Sequence, residues 1–183
     1  MTAFGKNIVG SAVLDDRTFS GDATVDFTDY FNGLYKKYIF YICDYFPATD
    51  FTNLYIRTSQ DGSTFDTGAS DYSYVNRGFD DSNTASTSNS ATAAFMRINT
   101  NSIGGTSGGL GDEGYSGFVV LYDPLDSSRY TNFYHEASYR NSFNQSLSVY
   151  GTGQRLEADV VRGVRFFASS DNCSGRIVMV GVE

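Results

Sequence analysis

The sequence lacks most of the residues on which metal sites and hydrolytic sites are built. Its 183 residues include no tryptophan, one histidine (His135) and two cysteines, Cys43 and Cys173. A structural zinc site uses four cysteine or histidine ligands at short spacing, and the sequence offers no such group. No serine lies at a predicted strand-to-helix nucleophile elbow that would let His135 act as the base of a catalytic triad, and the Gly-x-Ser-x-Gly match at 105–109 falls within a glycine-rich stretch instead. We therefore interpret His135 as an ordinary strand histidine.

The two cysteines are far apart, and each lies at one end of an apolar, strand-like segment. Free cysteine is among the most frequently buried residue types. We interpret Cys43 and Cys173 as two buried free thiols, and a disulfide between them is the alternative interpretation.

Positive charge and long hydrophobic runs are also scarce. Lysine and arginine number 13 against 21 aspartates and glutamates, the net charge is -8, and the arginines are scattered singly. Nucleic-acid binding requires clustered basic groups that neutralise phosphates, so we expect no nucleic-acid partner. The longest strongly apolar run, 38–43, is too short to span a membrane, and the N-terminus lacks the pattern of a secretory signal. We expect a soluble protein without a membrane partner.

Strand-forming and turn-forming residues are abundant instead. The chain has 14 tyrosines, 15 phenylalanines and 19 glycines, and short strand-like segments alternate with clusters of Gly, Asn, Asp and Ser. We predict an all-β fold, a single-domain antiparallel β-sandwich of jelly-roll-like type with about ten short strands. The predicted strands are 23–27, 35–43, 51–58, 70–76, 93–99, 117–122, 130–139, 146–150, 160–169 and 175–182.

The chain shows no inter-domain linker, but its segments differ in pattern. Residues 1–20 have weak periodicity and are expected to form an N-terminal arm or an edge strand, whereas 21–183 form the sandwich domain. Segment 175–182 is apolar on both faces, which predicts a central strand. Two stretches, 80–92 and 99–114, contain almost no core residues, and we expect both to be long exposed polar loops.

Three aspartates, Asp61, Asp66 and Asp71, recur at a regular interval, a pattern that raises the question of calcium. The spacing matches no EF-hand loop, which needs ligands at alternate positions and a closing glutamate. Segment 59–66 resembles the Asp-box hairpin of sialidases, although it is one residue short, and we interpret it as a tight turn between strands. We expect no metal site.

Paired carboxylates are the other route to hydrolysis, and the chain has two such pairs, Asp80 with Asp81 and Asp112 with Glu113. Both lie in flexible Gly/Ser-rich stretches, which suits solvated charges better than a preorganised site. The glycine-rich stretch 104–114 lacks the residue order of a phosphate-binding loop. We therefore expect no catalytic residue, no cofactor and no enzyme activity.

Tyr72, Tyr74 and Tyr115 lie beside polar stretches and are candidate binding residues. Exposed tyrosines can stack on sugar rings while neighbouring amides and carboxylates form hydrogen bonds, although most tyrosines of such a domain pack at the edge of the core. These three residues favour a carbohydrate-binding module as one interpretation.

The order of several segments carries a resemblance to a known family. LYIRTSQDGSTFDTGASDYSYV is followed by a Ser/Thr/Asn stretch, then GFVVLYDP, then VRGVRFFASSDNCSGRIVMVGV. Over roughly residues 35–183 this order resembles a family of small β-rich structural proteins of tailed bacteriophages. The usual family turn, Asp-Gly-Gly-x-Thr-Phe, is shortened here to Asp-Gly-Ser-Thr-Phe. The resemblance transfers no functional residue.

The resemblance implies a non-enzymatic structural protein on the virion surface, assembled in the host cytoplasm. The protein would be a capsid decoration (cement) subunit, or otherwise a tail or tail-fibre component. No heptad or repeat of a fibre shaft is found, which favours decoration. The implied partners are the major capsid protein and further copies of the chain, as a dimer or trimer. The alternative is a carbohydrate-binding module for adhesion to a host-surface glycan.

Overall fold

The computed structural model describes residues 10–104 and 114–183, and all of their regular structure is β. No helix able to cross a membrane occurs in these two ranges. The strands are β1 (Ser11–Asp22), β2 (Thr24–Phe27), β3 (Lys37–Pro47), β4 (Leu54–Ser59), β5 (Tyr72–Asp80), β6 (Ala85–Ala93), β7 (Met96–Arg97), β8 (Tyr115–Tyr122), β9 (Asn132–Arg140), β10 (Ser146–Arg155), β11 (Gly163–Ala168) and β12 (Cys173–Val182).

The strands form two antiparallel sheets. The larger sheet has eight strands in the order β1-β12-β3-β8-β9-β10-β5-β6, and the smaller has four in the order β2-β11-β4-β7. The prediction of an all-β antiparallel fold is confirmed. β1 is an edge strand, and β12 is paired on both sides, by β1 and β3. The part of the expected N-terminal arm that falls on residues 1–9 lies outside the described residues.

The two sheets pack against each other through aromatic side chains, which gives a sandwich-like architecture. Phe27 on β2 and Phe166 on β11 both meet Phe40 on β3 edge-on, with ring centroids 5.3 Å and 5.4 Å from that of Phe40. All three rings are fully buried. Edge-to-face pairs of this kind stabilise a core beyond the area they bury.

The stretch 80–92 is not a long loop, so this prediction is wrong. The chain turns at 80–84, where the Asp80 carboxylate accepts hydrogen bonds from the backbone N–H groups of Ser82 and Thr84. The following residues then pair with β5 as strand β6. Small polar residues carry little strand signal of their own, but a neighbouring strand that satisfies their backbone groups holds them in the sheet.

The prediction of an exposed loop at 99–114 is wrong in one respect for its first part, because residues 99–104 form a loop that is largely buried. Asn99, Thr100 and Ile103 are buried, and Ile103 exchanges two backbone hydrogen bonds with Thr52. The Asn99 side-chain oxygen accepts a hydrogen bond from the Leu54 N–H at 3.2 Å. This segment therefore seals one end of the core. The rest of the expectation falls on 105–113, outside the described residues.

Candidate binding face

The side of the larger sheet that faces away from the smaller sheet is the candidate site, and we call it the outer face. Strand alternation decides which side chains lie on this face, because successive residues of a strand point to opposite sides of the sheet. On β10 the buried residues Leu147 and Val149 face the core, while Tyr150 and Thr152 point outward and are exposed. The same alternation applies on β3, β5 and β9, whereas on β8 the outward-facing Val120 is itself buried.

One row of outer-face side chains is largely aromatic. The pairing of the strands sets Tyr41 beside Phe118, Phe118 beside Glu136, Glu136 beside Tyr150, and Tyr150 beside Arg77. Tyr41 and Tyr150 each retain 45% of their exposure. Cross-strand neighbours on one face lie about 4.5–5.5 Å apart at Cβ, so these side chains form one continuous surface.

The adjacent row continues this apolar surface. It runs through Val120, Tyr134, Thr152 and Val75, again in direct register. Val75 is 51% exposed. The rings of Tyr134 and Phe118 approach to 6.1 Å between centroids and so tie the two rows together.

A groove of about 460 Å³ lies at one end of the outer face. Tyr122 and Tyr134 supply aromatic walls, and Asn132, Gln154 and Ser73 supply polar groups. The Gln154 amide donates a hydrogen bond to the Asn132 side-chain oxygen at 2.7 Å, which fixes both amides. Among the described residues that line the groove, none carries a charge.

The opposite end of the outer face holds a second depression, of about 560 Å³. Its floor is a row of small residues, Ser116, Ser138 and Ser148, set side by side across three strands. Phe79 and Arg140 contribute to its walls. The outer face therefore has an aromatic middle, an aromatic-walled groove at one end and a more polar depression at the other.

The charges of this face are few and opposite in sign. Glu136 and Arg77 flank Tyr150, and the described residues give neither of them an ion pair. The Tyr134 hydroxyl donates to the Glu136 carboxylate at 3.2 Å. The pKa of Tyr134 is raised, mainly by loss of solvation and to a smaller extent by the Glu136 carboxylate.

Of the tyrosines named from the sequence, Tyr72 and Tyr115 are in the core, which corrects the expectation that they are exposed. Both are fully buried. The Tyr72 hydroxyl accepts a hydrogen bond from the Thr58 N–H at 2.7 Å, and the Tyr115 hydroxyl donates to the Ile98 carbonyl at 2.9 Å. Burial is the main cause that raises the pKa of Tyr72, to about 12. Neither ring can stack on a ligand.

Tyr74 is half-buried and packs against the core while it also lines the 460 Å³ groove. The outer-face tyrosines Tyr41, Tyr122, Tyr134 and Tyr150 were not singled out from the sequence. Alternation within 130–139 and 146–150 was the signal that could have found two of them. It places Tyr134 and Tyr150 opposite the apolar side of their strands.

His135 faces the core on the same side of β9 as Phe133 and Ala137, as alternation predicts. Its Nε2 lies 2.9 Å from the Asn76 side-chain oxygen. Burial lowers the pKa of His135 to about 3, so the ring is neutral at physiological pH. A side chain only 2% exposed cannot reach a substrate.

The aspartates considered for calcium serve separate local functions. The Asp61 carboxylate accepts hydrogen bonds from the Ser63 and Thr64 N–H groups, and these bonds lower its pKa. Asp66 forms an ion pair with Arg155. The Asp71 carboxylate accepts from the Gly68 N–H. Within 10–104 and 114–183, no three His, Cys, Asp or Glu residues are grouped as metal ligands.

The remaining candidates are the two cysteines and the paired carboxylates. Cys43 and Cys173 are both free thiols, but Cys43 is exposed, so the prediction of two buried thiols is wrong for Cys43. The cause is an irregularity in the pairing of β3 at this position. The Asp81 carboxylate accepts from the Ser146 N–H. Asp112 and Glu113 lie outside the described residues.

Comparison with known proteins returns no relative. No family model matches the chain, and no curated protein or solved structure has significant similarity to it.

Proposed function

We propose that the chain is a non-enzymatic structural protein of a tailed-bacteriophage particle, and that it attaches to the particle through the outer face. A capsid decoration (cement) subunit is the first form of this proposal, and a tail or tail-fibre component is the second. The jelly-roll-like connectivity, the position on the virion surface, assembly in the host cytoplasm and contact with the major capsid protein belong to the same proposal.

The observation that supports this proposal is the exposed aromatic surface across the middle of the larger sheet. Tyr41, Tyr150 and Val75 are about half exposed although they lie on interior strands. Tyrosine is enriched at protein interfaces because it combines a large apolar area with a hydroxyl that can form a hydrogen bond. An exposed apolar sheet face with few charges suits attachment to a regular protein surface.

Attachment through this face predicts that Tyr150→Ala weakens binding of the purified protein to particles that lack it by at least about tenfold. Tyr130→Ala is the matched control, because Tyr130 is 48% exposed but lies outside the outer face. Pelleting of particles with labelled protein measures the affinity. Mass spectrometry of purified virions tests directly whether the chain is a virion component. Absence of the chain from them would contradict the proposal.

A carbohydrate-binding module is the second candidate, and the 460 Å³ groove favours it. A sugar ring presents an apolar C–H face that packs on an aromatic ring, and its hydroxyls need partners that both donate and accept. Tyr134 supplies the ring, and the Asn132 and Gln154 amides supply both kinds of hydrogen-bonding group. The absence of charge among the lining residues suits a neutral glycan.

Glycan binding in this groove predicts that Tyr134→Ala and Gln154→Ala each reduce affinity by about tenfold or more. A screen against immobilised host-surface glycans would identify the ligand, and titration calorimetry would give the affinities. Tyr130→Ala again serves as the control. Unchanged affinity in both groove variants would rule out this site, even if a glycan binds elsewhere.

A further inference from the structure

Among the described residues, strand β6 forms one edge of the larger sheet and pairs with β5 alone. Along its other side, its backbone N–H and C=O groups have no neighbouring strand within 10–104 and 114–183. Such an edge is a template for pairing with another chain, and proteins normally protect it with charge, proline or bulges. The question is whether β6 carries any such protection.

The two edges of this sheet differ in this respect. β1 carries Asp15, Asp16 and Arg17, and its pairing with β12 is broken by two irregularities. β6 spans nine residues, ASTSNSATA, with no charged residue and no proline. Its register with β5 is regular from Ala85 to Ser90, and a single irregularity follows between Ser90 and Ala93. The β1 edge is therefore protected by charge and by two irregularities, whereas β6 presents an uncharged edge that is regular from Ala85 to Ser90.

The sequence of β6 is also close to symmetric about its centre, Asn89. If a second copy pairs antiparallel about this residue, Ala85 lies opposite Ala93 and Ser88 lies opposite Ser90 of that copy. Every other pair likewise combines small, uncharged residues. A two-fold interface must be complementary to itself, and this strand meets that requirement.

Charge argues in the same direction. A chain with net charge -8 repels its own copies, which opposes most modes of self-association. β6 contributes no charge of its own, and Asn89 lies beside the apolar Val75 on the neighbouring strand. The segment is thus suited to bring two acidic subunits together.

We propose that the chain forms a two-fold symmetric dimer in which β6 pairs antiparallel with β6 of a second copy, centred on Asn89. The two larger sheets then join into one continuous sheet. The two-fold axis is perpendicular to that sheet, so both outer faces point to the same side. This inference does not depend on the proposed function, because it concerns the edge and not the face.

The dimer is tested by the mass of the full-length protein in solution, measured by light scattering and sedimentation. Asn89→Lys places two like charges against each other on the two-fold axis, and the dissociation constant should rise by at least about tenfold. Ser20→Lys is the matched control, because Ser20 is exposed on the protected edge strand β1. It should leave the mass unchanged.

An opposite charge should restore the contact. Asn89→Asp alone should also be monomeric, whereas a mixture of Asn89→Lys and Asn89→Asp should form a heterodimer. Circular dichroism melting distinguishes a lost contact from a lost fold. A monomeric wild-type protein, or a dimer that survives Asn89→Lys in a folded protein, would overturn the proposal.

The register is tested by oxidation. In a Cys43→Ser background, which removes the exposed native thiol, Asn89→Cys should form a disulfide-linked dimer. Thr87→Cys alone should not, because its partner in the other copy is Ala91. Thr87→Cys mixed with Ala91→Cys should cross-link. Cross-linking of Thr87→Cys to itself would contradict the register.

Discussion

Asp66→Asn is expected to lower the free energy of unfolding by about 3–5 kcal/mol, the cost of removing one partner from a buried ion pair. The Arg155 side chain is only 2% exposed, and its Nε donates to the Asp66 carboxylate at 2.8 Å. Burial acts to lower the pKa of Arg155, but the hydrogen bond and charge of Asp66, together with the charge of Glu157, outweigh burial and raise that pKa. Without Asp66, a guanidinium remains in the protein interior with its main counter-charge gone.

The position of this ion pair explains why breaking it should destabilise the whole fold. Arg155 ends β10 of the larger sheet, whereas Asp66 follows β4 of the smaller sheet and also accepts a hydrogen bond from Thr58 at 2.9 Å. The pair therefore links the two sheets. Urea unfolding followed by circular dichroism and tyrosine fluorescence measures the effect, and the absence of tryptophan leaves the tyrosine signal undisturbed.

Glu157→Gln is the matched control. Glu157 also contacts Arg155, at 2.8 Å, but its side chain is 60% exposed. Solvent screens such a contact, so the loss should stay below about 1 kcal/mol. The double variant Asp66→Asn with Arg155→Met should be more stable than the sum of the single effects predicts, because it removes the stranded charge. Equal losses in Asp66→Asn and Glu157→Gln would contradict the assigned role.

The fold class could be predicted from the sequence because strand formers and turn formers alternate along the chain. The bounds of β6 could not, because its nine small residues contain none of the β-branched or aromatic pattern of a strand apart from two threonines. Its place in the sheet is decided by β5, whose backbone groups it satisfies. A prediction that weighs each segment alone misses strands of this kind.

The candidate site was harder to predict than the fold. Closeness to polar stretches selected Tyr72 and Tyr115, but each belongs to the buried side of its strand. Alternation decides which tyrosines point outward, and it does so only after the strand limits are known, since a shift of one residue exchanges the two faces. The outer face also places β3 and β5, which are distant in sequence, on either side of the consecutive strands β8, β9 and β10, and this order is not visible in the chain.

The edge and the face have a joint consequence. A dimer through β6 would present two outer faces side by side and would convert the second contact with a surface into an intramolecular event. A weak contact at each face would then hold the dimer tightly. Asn89→Lys should accordingly weaken attachment to a repeating surface.

The free energy of unfolding is expected to fall steeply below about pH 6.5. His135 by itself contributes a loss of about 1.4 kcal/mol for each pH unit. The pKa of this buried ring is about 3 in the folded protein against 6.5 without burial. Above about pH 6.5 the ring is neutral in both states and contributes no pH dependence. As the pH falls towards 3, only the unfolded state takes up the proton, so stability is lost over this window, by about 4–5 kcal/mol in all.

The hydrogen bonds around His135 explain why the folded protein does not take up a second proton on this ring. The Asn76 amide nitrogen donates to the Arg97 carbonyl at 2.7 Å, so the Asn76 oxygen faces the ring and His135 Nε2 carries the hydrogen. Nδ1 is buried and has no hydrogen-bond partner among the described residues. A second proton would have no acceptor there. The ring also adjoins Gly151, where any side chain would collide with it and with Asn76.

His135→Gln removes the titrating group, so the free energy of unfolding should depend less steeply on pH between pH 7 and about pH 4. The difference in slope corresponds to about one fewer proton taken up on unfolding. Urea unfolding at a series of pH values gives this slope. Glu136→Gln, on the next residue of the same strand but exposed, should keep the steep loss below about pH 6.5, because the buried ring is still present. Carboxylate protonation acts on both variants, so the difference between their slopes isolates His135. Equal slopes would show that the ring takes up its proton in the folded state.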